Sequence, residues 1–224
     1  MTIHFVREIE RLKTRILSLS AYVEENVIMA VKALNSRDAE LAREVRQRDR
    51  KVDEAEVDLE EECLKILALH QPVAQDLRFI IAVLKITNDL ERIGDHAVNI
   101  SYQSESFTQR PQLEIPGMLL DMAEKTKKML TEGLDALVNL DLTAARRVCL
   151  SDDAIDALHH QIYEVAMEEV LKNPALFGTW FKITNISHQL ERIADLATNI
   201  AEDVMYMVEG RIVRHVSRRS NTEQ

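Results

Sequence analysis

The stretch LERIGDHAVNI, residues 90–100, recurs as LERIADLATNI, residues 190–200. The two copies share the L, E, R, I, D, A, N and I at matching places. On a helix turning about 100° per residue, Asp95 lies about 40° and Asn99 about 80° from Glu91, on one flank. Leu90, Ile93, Ala97 and Ile100 lie on the opposite flank. In the second copy Glu191, Asp195 and Asn199 stand against Leu190, Ile193, Ala197 and Ile200. Each copy therefore reads as a helix with an apolar stripe on one side and carboxylates on the other.

Periodicity extends this reading along the chain. Phe5, Ile9, Leu12, Ile16, Leu19, Val23, Val27, Ala30 and Leu34 alternate steps of three and four, which predicts a first helix of about 30 residues, roughly 45 Å long. Asn35 and Ser36 are expected to close it. A second helix carries Leu41, Val45, Val52, Leu59 and Ile66, and His70-Gln71-Pro72 breaks it. A third runs from about Val73 to Gln103, and its FIIAVL segment, 79–84, is apolar on all sides and expected to be deeply buried. Segment 104–117 holds two prolines and a glycine and reads as a linker. The plan then repeats with a helix from about Met118 to Asn139. Another starts near Asp141 and carries Val148, Ile155, Leu158, Ile162 and Val165. A last helix follows Asn173-Pro174 and ends near Val208. The expected fold is all-α, six long helices in two tandem, similar three-helix bundles. The units are 1–107 and 117–208, with a linker at 108–116 and a mobile basic and polar tail at 209–224. Trp180 and Phe181 are expected to plug the second core.

Composition agrees. Five glycines and four prolines in 224 residues, with aromatics at 4%, favour long helices over sheets. The 28 basic and 38 acidic residues give a net charge of −10, which argues against general nucleic-acid binding. Charged residues interrupt the N-terminus, so no signal peptide is expected. No stretch approaches the ~20 apolar residues of a membrane span, so no membrane insertion is expected. Cys63 and Cys149 read as reduced structural thiols of a cytoplasmic protein. His4, His70, His96 and His215 show no partner at site spacing.

The second helix of each unit carries its own acid pair, Asp49 with Asp53 and Asp152 with Asp156, each at i, i+4. Glu56 continues the first stripe, and His159 takes the matching place in the second. His188 stands where the first copy has Asn88. If the helices are neighbours, two carboxylate pairs converge on the surface of each bundle. Such a donor set suits Mg²⁺, Mn²⁺ or iron, and His159 and His188 favour the later metals. Charges opposite an apolar stripe are also what a solvated face looks like, and Arg92 and Arg192 have the option of pairing with the acids. A ferritin-like oxidase places its acids inside the core; here they face away from it. No Walker loop, GxSxG or dinucleotide fingerprint occurs. A purely structural scaffold does not require acids repeated in register.

The chain resembles the PhoU family of bacterial regulators of phosphate uptake over nearly its full length. The resemblance rests on HQPVAQDLRFI at 70–80, on both LERI copies and on the two DxxxD pairs. In the second half LKNPALFGTW replaces the HQPVAQDLR pattern. The resemblance implies paired three-helix bundles, a cytoplasmic protein that dimerises, and no catalysis. It implies a negative regulator of the phosphate-starvation response that couples the ATPase subunit of a phosphate ABC transporter to a sensor histidine kinase. It also implies surface metal, with iron, zinc, manganese and magnesium in view, at Asp49, Asp53, Glu91 and Asp95 and at Asp152, Asp156, Glu191 and Asp195. His188, His159, Asn99 and Asn199 are possible additional ligands.

Overall fold

The nine apolar residues of the first stripe are all buried along α1, Ile3–Ser36. That buried face is the seed of a computed structural model that describes residues 3–108 and 114–210. Five more helices follow: α2 Ala39–His70, α3 Ala74–Thr108, α4 Gly117–Asn139, α5 Leu142–Lys172 and α6 Phe177–Glu209. A single 3-10 turn, Pro174–Leu176, precedes α6. There is no strand among the described residues. The expected linker falls largely at 109–113 and the expected tail largely beyond Gly210, both outside the described residues.

The two halves turn their first corners identically. Arg37 and Leu140 adopt left-handed backbone conformations, φ 54° and 49°. An aspartate then caps the next helix in each half. Oδ1 of Asp38 accepts from the amides of Glu40 and Leu41 at 2.9 and 3.0 Å. Oδ1 of Asp141 accepts from those of Thr143 and Ala144 at 2.8 and 3.1 Å. These caps satisfy amide donors that the first helical turn leaves open. So the corner after α1 is set by Arg37 and Asp38, one step beyond the Asn35 and Ser36 expected to close it.

In each half the three helices bury their stripes against one another. The halves also meet, α3 against α6 and α1 against α4. Contacts descend α3 as they ascend α6, so the pair is antiparallel. Arg78 faces Gly210, Lys85 Nζ lies 3.0 Å from Asp203 Oδ1, and His96 Nδ1 lies 2.7 Å from Gln189 Oε1. Thr131 of α4 donates to Glu24 of α1 at 2.5 Å. The buried apolar side chains consequently form one contiguous cluster through both bundles. Each fully buried Leu or Ile in it contributes roughly 1.5–3 kcal/mol against exposure.

Several expectations need correction. Only Ile80, Ala82 and Val83 of FIIAVL are buried. Phe79 and Leu84 are partly buried, packed against the core. Helix α3 reaches Thr108, five residues beyond the expected Gln103. Trp180 packs against the core, but Phe181 is exposed and stacks on Phe177 at 6.0 Å. His70 and His96 do have partners, Glu8 at 2.6 Å and Gln189, because other helices supply them; His215 lies outside the described residues. Cys63 and Cys149 are free thiols, the first buried and the second half-buried.

Two acidic grooves as the candidate functional site

The first groove runs between α2 and α3. Residue 94 lacks a side chain where these helices face each other. A β-carbon there would stand 3.1 Å from Oδ1 of Asp49 and 3.4 Å from Val52. Asp49 thereby lies over the LERIGD segment, within reach of Asp53 on its own helix and Asp95 on the next. Burial, then those two charges, push its carboxyl up to about 6. Glu91 goes further, to about 7, through burial and then the charges of Asp95, Glu56, Asp53 and Asp49. Those neighbours are all negative. Arg92 turns to Asp89 instead, at 3.8 Å.

The second groove, between α5 and α6, repeats this arrangement with different company. Burial and then Asp156, Asp195, Asp153 and Glu191 push Asp152 up to about 6. Burial and Asp195 raise Glu191, while Arg192 and His188 act against the rise. Arg192 reaches Asp195 at 3.3 Å and Glu191 at 3.7 Å. His188 Nδ1 lies 3.5 Å from Glu191 Oε2. His159 joins from α5, its ring centre 6.0 Å from that of His188. Burial first and then His188 hold His159 below its ordinary value, which favours the neutral ring.

The eight carboxylates of the DxxxD and ExxxD pairs thus fall into two groups of four, one per half, each drawn from two adjacent helices. Asn99 and Asn199 are exposed one turn further along. Glu56 belongs with the first group and is raised by burial, Glu60 and Asp53, while a hydrogen bond with Asn88 acts against the rise. Its position was visible as the i+7 continuation of Asp49. Gly94 as the opening for Asp49, and Ser187 beneath His159, escaped sequence reasoning. Neither spacing nor residue type marks them before the helices are packed.

As the side chains stand, no group of three or more His, Cys, Asp or Glu among the described residues is disposed to hold a metal ion. Like charges repel, and four carboxylates without a counterion splay. The donor set still fits a cation. Oδ1 of Asp152 is buried without a hydrogen-bond partner, an arrangement that costs free energy, while Oε2 of Glu191 makes no hydrogen bond but lies 3.5 Å from His188 and 3.7 Å from Arg192. Burial and like charges raise Asp49, Glu56 and Glu91 in the first group and Asp152 and Glu191 in the second. All the donors are side-chain atoms on adjacent helices.

Comparison with known proteins gives one family. A family model described as the PhoU domain matches residues 16–103 and again 119–204. The phosphate-specific transport system accessory protein PhoU homolog of Aquifex aeolicus is 36% identical over 209 residues, 93% of this chain and 95% of that one. The homolog so named from Pseudomonas aeruginosa is 34% identical over 95% of this chain and 88% of that one. The crystal structure of PhoU from Pseudomonas aeruginosa superposes with a TM-score of 0.88 at 33% identity, covering 92% of this chain and all of that one. The phosphate transport system regulatory protein PhoU from Streptococcus pneumoniae gives 0.85 at 28% identity, covering 93% and 99%.

Proposed function

This chain belongs to the PhoU family, and on that premise we propose that it is an accessory regulator of a phosphate transport system. The observation that carries the proposal is the match of both halves, over nearly the whole chain, to relatives named for that role. In this reading it acts on the cytoplasmic face by binding. It couples the transporter's ATPase subunit to a sensor histidine kinase and restrains the starvation response while phosphate is plentiful. It works as a homodimer. No residue is assigned a catalytic step.

The surface suits an adaptor. Helices of more than 30 residues present long, stiff faces, and no helix among the described residues is long and apolar enough to cross a membrane. The grooves supply concentrated negative charge, which steers basic partner surfaces. Metal, where bound, is held by Asp49, Asp53, Glu91 and Asp95 in the first half and by Asp152, Asp156, Glu191 and Asp195 in the second. It supplies positive charge, which none of the neighbours acting on Asp49 and Glu91 in the first group provides. The chain's own contribution is to keep those carboxylates on two rigid, adjacent helices.

The test is genetic. Deleting the gene is expected to leave a phosphate-starvation reporter on in phosphate-rich medium, and deleting the kinase gene as well is expected to switch it off. A reporter that stays off in the single deletion, or on in the double, contradicts the proposal.

A further inference from the structure

The two halves place different residues at three matching positions beside their acids. Where the first half has Glu56, the second has His159; Asn88 corresponds to His188, and Thr87 to Ser187. The matching positions touch in each half, Glu56 with Asn88 and His159 with His188. The substitutions therefore change one local cluster as a unit.

Ser187 bears on the tautomer of His159. The Ser187 hydroxyl donates its one proton to the carbonyl of Thr184 at 2.9 Å. The same oxygen lies 3.0 Å from Nδ1 of His159, and with its proton turned to Thr184 it accepts from Nδ1–H. That leaves the lone pair on Nε2, the tautomer of a metal-ligating histidine oriented by a hydrogen bond at its other nitrogen. In the first half the Thr87 hydroxyl is buried with no such partner. The ring centres of His159 and His188 are 6.0 Å apart. Two imidazoles bound to one ion, each about 2 Å from it through nitrogen, have ring centres roughly 5–6 Å apart.

We propose that the two grooves select different ions: the second, with His159 and His188, takes a borderline ion of the Zn²⁺ or Co²⁺ class, and the first, with oxygen donors only, takes a hard ion of the Mn²⁺ or Mg²⁺ class. Imidazole nitrogen raises affinity for the later divalent ions, whereas an all-carboxylate site leaves selection to charge and size. Arg192 is the occupant that the ion displaces. Its side chain is 46% exposed, so it can leave Glu191 and Asp195 without disturbing the core. The proposal rests on the reading that these grooves hold metal.

The experiment uses the full chain stripped with chelator and titrated separately with Zn²⁺, Co²⁺ and Mn²⁺. Calorimetry reads affinity, the visible spectrum of Co²⁺ reads nitrogen ligation, and the paramagnetic signal of Mn²⁺ reads the first groove. Three variants are compared with the parent: His159→Glu with His188→Asn, the reciprocal Glu56→His with Asn88→His, and the positioning variant Ser187→Ala. Circular dichroism checks that each is folded. The first is expected to lose Zn²⁺ affinity at least about tenfold and to lose the nitrogen signature of Co²⁺, with Mn²⁺ binding unchanged. Ser187→Ala is expected to weaken Zn²⁺ about tenfold, the usual scale for loss of an orienting hydrogen bond. The reciprocal variant is expected to gain a second Zn²⁺ site. If the parent binds neither Zn²⁺ nor Mn²⁺, the grooves hold no metal and the proposal falls with that reading. If both ions bind but exchanging the histidines leaves Zn²⁺ affinity and the Co²⁺ spectrum unchanged, selection alone is refuted. Should the first variant be unfolded, the reciprocal variant decides: no added Zn²⁺ site overturns the proposal.

Discussion

Gly94 and Asp49 share one space: a β-carbon on the glycine would stand 3.1 Å from Oδ1 of the aspartate. The neighbour is the tip of a flexible side chain, so it can yield. Gly94→Ala is expected to keep the fold and to stabilise the metal-free protein by up to about 1 kcal/mol, the helix-propensity difference between the two residues. It is also expected to turn Asp49 out of its place and weaken ion binding in the first groove. Gly94→Leu, which must also displace Val52, is expected to cost about 1–3 kcal/mol by overpacking. Thermal unfolding of the two variants, run with calorimetric titration, checks both signs.

The acids set a pH dependence. Glu91 and Asp49 are raised to about 7 and about 6 from ordinary values of 4.5 and 3.8. Protonation is therefore easier in the fold than in the unfolded chain. That contribution to stability is complete below about pH 4 and is lost as pH rises through 6 and 7. In the metal-free protein Glu91→Gln is expected to raise the melting temperature at pH 8 and to change it little at pH 5. Equal effects at the two values would show that charge repulsion is not what the glutamine relieves.

Replacing Glu91 and Asp95 together by alanine removes half of the first donor set. Helicity is expected to persist, because neither side chain belongs to the core. Bound metal per chain, read by elemental analysis, is expected to fall. Equal metal in variant and parent would remove these two residues from the site.

One corner gives opposite signs at adjacent residues. Leu140 holds a left-handed conformation that suits glycine, and Asp141 caps α5. Leu140→Gly is expected to stabilise by about 1 kcal/mol, and Asp141→Ala to destabilise by about 1 kcal/mol. Denaturant midpoints resolve differences of this size.

Lys85 and Asp203 join the halves across α3 and α6, with Asp203 4% exposed. Lys85→Ala withdraws a partner from a buried carboxylate. Lys85 itself is 37% exposed, so the expected loss is about 1–3 kcal/mol, below that of a fully buried pair. Adding Asp203→Asn is expected to recover part of it in a chemical denaturation series.

The helices were legible because an apolar stripe with a period near 3.6 leaves an unmistakable trace, and both LERI copies carry it beside their acids. The acid pairs were legible for the same reason, since i, i+4 spacing fixes their face. What spacing could not tell was which helix lies alongside. His70 and His96 looked isolated because Glu8 and Gln189 come from elsewhere in the chain. Phe181 looked like core because its residue type says nothing about the end of a helix hairpin, where packing runs out. Gly94 reads as an ordinary breaker until α2 is laid against it, and Ser187 reads as filler until His159 arrives from α5.

The antiparallel seam of α3 and α6 carries a historical consequence. A single three-helix unit, made alone, exposes the α3 seam to water and meets that cost by pairing with an identical copy about a two-fold axis. Two copies from one gene must be identical, so neither site of such an ancestor could differ from the other. Joining the copies in one polypeptide removes that constraint. Glu56 and His159, or Gly94 and Ala194, are then free to diverge, and so is the seam itself, where Lys85 and Asp203 have Asn185 and Gln103 at the matching positions.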